Sequence, residues 1–383
     1  MQKKTDILFI APFPPPYAGP EISAELFINS NIGKHFTIKT LNTSIRKNNA
    51  EKGRLNITMI RSFFNLIIRL LNNLVRYKPS IVYYYVTATI LGWICKDIWV
   101  IIISKLFGAK VVIHMRAGHF RTNYNRSFYV FRRTIKWVIG KTDLALCQSK
   151  SLEPQFKNLI NSNKIKSIHN MIQLSRYHNK NFKDYDRNII LFVGHLSHAK
   201  GYCDVLLAIP KVVKHFPKIK FYFAGTKLKN EKNVFYNEIT KEKISFTDPD
   251  DVYNNVIKNK YEKNYKYLGN IDQDQKITML RKANLFILPS YSEGFSMSIL
   301  ESMASSKPII TTEVGASKDI IQNNYNGLII PPGDVEKIEK SIIYLLQNTH
   351  VRDQISENNS VDRNNYSTSN IVKQYARIFK GLI

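Results

Sequence analysis

The chain has little cysteine, and what it has is scattered. Cys95, Cys147 and Cys203 stand singly, with no C-x-x-C spacing. That excludes a disulfide framework and a thiolate zinc site, and it fits a reducing compartment. Long apolar runs are missing too. The greasiest stretch, residues 91–107, carries Lys96, Asp97 and Lys105. It is too short and too charged to read as a membrane span. A secretory pattern is absent at the start, where a strand-like run from Ile7 to Ala11 follows Asp6 at once. The expectation is a cytoplasmic protein. No internal repeat and no heptad run is present. Acidic residues are scarce in one half: residues 1–188 hold 30 Lys/Arg against 9 Asp/Glu, whereas residues 189–383 hold 26 against 20. The excess positive charge therefore points to a partner of the first half.

What is present is a regular alternation. Short apolar runs at 6–11, 36–41, 81–85, 110–114 and 144–147 alternate with helix-length segments. The same holds for runs at 189–194, 219–224, 265–268, 285–288, 308–311 and 327–330. Such alternation predicts parallel sheets covered by helices, an α/β fold. The polar stretch 173–188 reads as a linker. It separates residues 1–172 from a second doubly wound domain at 189–365, and residues 366–383 read as a helix that packs back on the first. The Asn/Lys-rich region 227–263 reads as an insertion, partly helical.

Ligands in such sheets gather beyond the carboxyl ends of the strands. The most informative segment there is Glu293-Gly294-Phe295-Ser296-Met297-Ser298-Ile299-Leu300-Glu301. A buried strand precedes it and a helix follows, so Glu293 falls on the turn and Glu301 about two turns into the helix. The junction aims amides and a positive helix end at an anion, with a carboxylate on either side for sugar hydroxyls. Three further segments fall at comparable places. Gly19, in the proline-rich run after the first strand, lets backbone approach a ligand closely, or it belongs to a rigid turn. Lys200, after Gly194 and His195, is a phosphate clamp or a solvated loop lysine. His114 closes a strand and could hydrogen-bond a substrate hydroxyl, or it is a satisfied interior histidine. Arg116, Gly118 and His119 compete for that role. Asp272-Gln273-Asp274 has the look of a metal-binding D-x-D, but its place at a helix start favours capping.

These motifs together resemble the retaining glycosyltransferases of family 4. The run Gly194 to Gly201 is similar to that family's G-R-L-x-x-x-K-G, and Glu293 to Glu301 to its E-x7-E. The runs Phe221 to Gly225, Tyr267 to Ile271 and Asn326 to Asp334 fit beside them, and Ile168 to Ile172 resembles an interdomain signature with its glycine lost. The resemblance implies a GT-B fold, two doubly wound Rossmann-like domains facing across a cleft. It implies that Glu301 holds a donor ribose and Glu293 the hydroxyls of the transferred sugar. Amides of Gly294, Phe295, Ser296 and Met297, with Gly19 and Lys200, would cradle a pyrophosphate. Backbone near Ile271 would meet the base, and His114 would contact the sugar. The family's usual arginine is His195 here, which removes a permanent cation and leaves more of the leaving charge to Lys200. A nucleotide-sugar is then a substrate, UDP being the common nucleotide, and neither metal nor cofactor is implied.

Two segments without any acid carry the charge of the first half. Residues 54–78 hold Arg54, Arg61, Arg69, Arg76 and Lys78 among Ile57, Ile60, Phe63, Phe64 and further apolar residues. Residues 121–141 hold Arg121, Arg126, Arg132, Arg133, Lys136 and Lys141 among Tyr124, Phe128, Tyr129, Phe131 and Trp137. Basic amphipathic helices with aromatics suit an anionic membrane surface, or they pack on the sheet with basic outer faces. With the resemblance, the expected partner is a polyprenyl-diphosphate-linked saccharide at the inner face of the cell membrane, as in O-antigen or capsule assembly. Two other functions compete: a GT-B epimerase or phosphorylase, and nucleic-acid binding, for which no RRM, KH or helix-turn-helix signature is found.

Overall fold

The computed structural model describes residues 6–15, 19–44, 57–177, 186, 188–228, 236–244 and 247–383. Arg54, the side chains of Ile57 and Ile60, Pro16 to Ala18, and parts of the expected linker and insertion lie outside the described residues. The chain forms two compact units. One joins Met1–Met171 to Tyr366–Ile383, and the other is Ile172–Asn365.

The first unit is built on six parallel strands. They are β1 Ile7–Ala11, β2 Ile38–Asn42, β3 Ile81–Val86, β4 Lys110–Met115, β5 Leu144–Cys147 and β6 Ile165–Ser167, in the order β2-β1-β3-β4-β5-β6. Every residue of β1 and β3 is buried, which is why both read as unbroken apolar runs rather than alternating ones. On one face Phe9, Tyr83, Val112 and Leu146 pack with Phe27 of the helix Gly19–Ile28. The same core takes Tyr375 and Phe379 from the helix Thr368–Lys380, the last in the chain. Tyr84, one residue on from Tyr83, points to the opposite face. Its hydroxyl donates to the wholly buried Asp97, which also accepts from Thr87 N at 2.8 Å and Thr87 Oγ1 at 2.6 Å. The apolar stretch around Asp97 is thus core packing: it forms a π-turn, Trp93–Asp97, and the helix Ile98–Leu106. No described helix is long and apolar enough to cross a membrane.

β6 has no counterpart in the sequence reading. Its three residues include Lys166, and none is fully buried. It pairs on one side only, with β5. An edge strand that covers nothing leaves no apolar run to detect.

The second unit has β7 Ile189–Val193, β8 Lys220–Ala224, β9 Tyr265–Gly269, β10 Leu285–Leu288, β11 Ile309–Thr312 and β12 Leu328–Ile330. Their order is β12-β11-β10-β7-β8-β9, again parallel. The strand order reverses between β7 and β10. The loops that leave their carboxyl ends therefore part to opposite faces and leave a crevice at the sheet edge.

The last helix supplies a testable point. Phe379 is fully buried and its ring meets Phe36, Tyr83 and Tyr375. Phe379→Ala should lower stability by about 3–5 kcal/mol, as for other large buried aromatics. Urea unfolding would measure it, and a loss under about 1 kcal/mol would show that this helix does not complete the core.

Candidate active site

β10 ends at Leu288 and the chain turns through Pro289 to Phe295 into the helix Met297–Ala304. Ser296 caps that helix, its Oγ accepting from Ile299 N at 3.4 Å, which fixes where the turn stops and the helix starts. Glu293 lies on the turn and Glu301 within the helix, and both are buried.

The loop after β7 meets this turn because of one glycine. Gly201 has φ +71°, and a Cβ there would fall inside the Pro289 carbonyl. Only glycine permits both the left-handed conformation and the approach. Tyr291 N donates to Ala199 O at 3.0 Å across the same contact. Lys200 Nζ is thereby held 2.7 Å from Glu293 Oε1. The Ser290 hydroxyl donates to that oxygen as well, at 2.8 Å. Lys200 and Glu293, read separately in the sequence, are one ion pair.

Glu301 is held in a parallel way. Its Oε1 pairs with Lys276 Nζ at 2.7 Å and accepts from Gln273 Nε2 at 3.0 Å. Gln273 Nε2 also donates to the Tyr177 hydroxyl at 2.8 Å. Burial, and next the Glu301 carboxylate, push the Tyr177 phenol up. Gln273 and Lys276 lie three apart on the helix Gln273–Lys282, so they share a face. Asp272 caps this helix with a full capping box to Gln275, and Asp274 pairs with Arg176 at 2.6 Å. Among the described residues no cluster of three or more His, Cys, Asp or Glu could hold a metal. The second oxygen of Glu301, Oε2, is buried with no hydrogen-bond partner. A buried acceptor left bare is costly, and it is a ready place for a hydroxyl donor.

The other expected residues are placed as follows. His195 is exposed on the loop after β7. Ile271 is half-buried just ahead of Asp272. Gly294 accepts from Ala316 N at 2.8 Å; Phe295 and Ser296 are buried, and Met297 opens the helix half-buried. In the first unit Gly19 is exposed at the start of its helix, and a Cβ there would meet nothing within 4 Å.

His114 has no exposed surface, in keeping with the interior alternative. Nδ1 lies 2.7 Å from the Tyr83 hydroxyl, and Nε2 lies 3.4 Å from Arg116 Nη1. A guanidinium only donates. Nε2 must then accept, the proton sits on Nδ1, and Tyr83 passes its own proton to the Tyr375 hydroxyl at 3.1 Å. Burial, then the Arg116 charge, hold His114 well below the usual histidine range, so it is neutral. Arg116 is the half-exposed end of this chain, gripped by Ser23 Oγ and by Asn170 Oδ1 at 2.5 Å.

Residues 175–361 match a single family model, described as glycosyl transferases group 1. The matched residues lie within the second unit. Among similar proteins, an uncharacterised glycosyltransferase of Methanocaldococcus jannaschii is 28% identical over 251 residues, covering 66% of this chain and 63% of that protein. The alignment thus spans less than two thirds of that relative's length. The N,N'-diacetylbacillosaminyl-diphospho-undecaprenol alpha-1,3-N-acetylgalactosaminyltransferase of Campylobacter jejuni is 25% identical over 179 residues, covering 47% of this chain and 45% of that one. Among solved structures, HepE of Anabaena in complex with UDP aligns with a TM-score of 0.71 at 14% identity. The alignment covers 98% of this chain and 100% of that one. The fold is the GT-B fold of glycosyltransferases.

The second unit also contains residues that no sequence pattern singled out. Gln273, Lys276 and Tyr177 each touch Glu301 or its partners, and only the three-residue spacing of the first two on one helix hints at a shared face. Asp204, in the first turn of the helix Tyr202–His215, is nearly buried, with Oδ2 lacking a partner. Burial pushes its carboxyl from the ordinary 3.8 to about 6, against the opposing hydrogen bond from Tyr291. Tyr291 in turn stacks on His198, with ring centroids 5.1 Å apart.

A raised aspartate makes the folded state hold its proton where the unfolded chain has already lost it. Stability from this group is therefore present at low pH and falls as pH rises from 3.8 to about 6. Asp204→Asn should remove that fall and raise stability above pH 7 by about 2–3 kcal/mol relative to wild type. Thermal melts of both proteins from pH 4 to pH 8 would check it; parallel profiles would count against a buried, proton-holding Asp204.

Proposed function

We propose that the chain is a retaining glycosyltransferase that moves a sugar from a nucleotide-sugar, with UDP the favoured nucleotide, to a lipid-linked saccharide. The observation that carries this reading is the pair of lysine-held carboxylates, Lys200–Glu293 and Lys276–Glu301, with Glu301 Oε2 left bare. Glu301 is the ribose ligand: one oxygen is anchored by Lys276 and Gln273, and the other awaits a hydroxyl. Glu293 takes hydroxyls of the sugar, while Lys200 neutralises charge that grows on the departing diphosphate. The bond from the anomeric carbon to phosphate breaks as a bond to the acceptor oxygen forms on the same face, and the acceptor proton passes to the departing phosphate. No side chain serves as nucleophile and no metal is required in this scheme. The UDP bound by HepE and the undecaprenol acceptor in the Campylobacter relative's name support the donor and acceptor classes.

The acceptor's lipid is the reason to seek a membrane face, and an exposed basic and apolar surface of the first unit supports one. The helices Ile57–Tyr77, Ile98–Leu106 and Tyr129–Gly140 pack side by side. Leu66, Leu70 and Leu74 face the core, while Phe64, Ile68 and Val75 face outward with Arg61 and Arg69. The segment expected as a single basic helix is two, Phe120–Arg126 and Tyr129–Gly140, because the chain is extended at Ser127 and Phe128. At that break Phe128, Tyr129 and Val130 are 80%, 65% and 67% exposed. Arg126, Arg133 and Lys136 are exposed beside them, with Arg132 half-buried. Apolar tips ringed by cations suit insertion into an anionic bilayer surface from the cytoplasmic side.

Lys200→Ala should lower turnover about 100-fold with little change in acceptor KM, measured as nucleoside diphosphate released when acceptor is added; in the same assay EDTA should leave the wild-type rate unchanged. Near-normal turnover in the variant would remove Lys200 from the phosphate role. The protein should also cosediment with phosphatidylglycerol vesicles and release in high salt, and replacing Phe128 and Tyr129 by serine should weaken binding about tenfold. Equal binding to neutral phosphatidylcholine vesicles would count against the anionic surface.

A further inference from the structure

We infer that Glu238, from the insertion between β8 and β9, is a positioning residue for Glu293 and so sets the sugar end of the donor site. The inference rests on the reading of Glu293 as a sugar ligand. Glu238 stands 55 positions before Glu293, yet three hydrogen bonds tie it to the turn that carries Glu293 and a fourth ties it to the loop after β11. Its Oε1 accepts from Ser292 Oγ at 2.6 Å and from Glu293 N at 3.1 Å. Its Oε2 accepts from Gly315 N at 2.7 Å, and its own amide donates to Tyr291 O at 3.1 Å.

The loop after β11, which Glu238 also joins through Gly315, packs on the same turn. Gly315 has φ +54°, a Cβ there would collide with the Glu293 carbonyl, and Ala316 N holds Gly294 O at 2.8 Å. The turn is thus held by an insertion carboxylate and by the loop after β11. A carboxylate is the fitting group because all three side-chain bonds come from donors. Glutamine would aim its NH2 at one of them. Removing Glu238 takes an acceptor away from two amides and a hydroxyl, which loosens the turn. Glu301 is anchored from other elements, by Lys276 and Gln273. Loss of Glu238 should therefore loosen the sugar end and spare the nucleotide end.

Calorimetric titration of the full chain tests this, with UDP and with whichever UDP-sugar raises the wild-type melting temperature most. Glu238→Ala should bind UDP within about twofold of wild type but the UDP-sugar about tenfold more weakly. Formate, which fits the vacated carboxylate position, should restore UDP-sugar binding saturably. Glu238→Gln should show the same loss without formate rescue, and it carries the test if the alanine variant does not fold. Glu293→Gln serves as the reference and should lose UDP-sugar binding with no rescue. If Glu293→Gln binds the UDP-sugar like wild type, or wild type binds no UDP-sugar, the reading of Glu293 falls and the inference with it. If Glu293→Gln is impaired while both Glu238 variants match wild type, the inference alone falls. Equal weakening of UDP and UDP-sugar without formate rescue would make Glu238 merely structural and overturn it too.

Discussion

Two loops at the carboxyl edge of the second sheet approach one another to the limit that backbone atoms allow. The contact between Gly201 and the Pro289 carbonyl leaves no room for a single extra carbon. The Glu293 end of the candidate site is referenced to it. It holds Lys200 within 2.7 Å of Glu293, it aligns Tyr291 against Ala199, and it passes through Tyr291 to Glu238 on one side and to Asp204 and His198 on the other. Sub-ångström placement of a charge pair decides its strength, since a half-buried pair is attracted far more than one in water.

The pairing has a chemical implication. Lys200 is already engaged by Glu293, so a phosphate that reaches it must share it. Whatever loosens Glu293 from Lys200, such as a sugar hydroxyl donating to the carboxylate, leaves more of the ammonium for the phosphate. In the proposed reaction, recognition of the sugar and stabilisation of the leaving group would be linked through one cation. The exposed His195, at the position where an arginine is usual for the resembled family, supplies no permanent charge to ease that demand. Glu301 has no such conflict. One of its oxygens is anchored by Lys276 and Gln273, and the other is buried without a hydrogen-bond partner.

Much of the frame was legible because it is written in contiguous residues. β1, β3, β7, β10 and β11 are buried throughout, and each reads as an apolar run of strand length. The nonapeptide from Glu293 to Glu301 announces its strand-turn-helix setting by itself, and Asp272 announces a cap. What the sequence hides is pairing across distance. Nothing local says that Lys276 meets Glu301, or that Glu238 reaches the turn at Ser292 and Glu293. The two readings of His114 stayed open in the sequence for a related reason. A residue at a strand end faces out or in according to the neighbours above it, and here Tyr83 and Arg116 take both its nitrogens. β6 escaped because an edge strand without buried residues carries no apolar pattern.

The last helix of the chain belongs to the first unit. Tyr375 and Phe379 complete a core begun by Phe9 and Phe27, with the whole of the second unit encoded between them. Domains on a growing chain generally fold in the order in which they emerge from the ribosome. This chain inverts that order: its first unit stays open on one face until the final residues are made, while the second unit has all of its own strands earlier. The basic half of the molecule therefore waits, unfinished and rich in exposed aromatics, for the length of the other unit's synthesis.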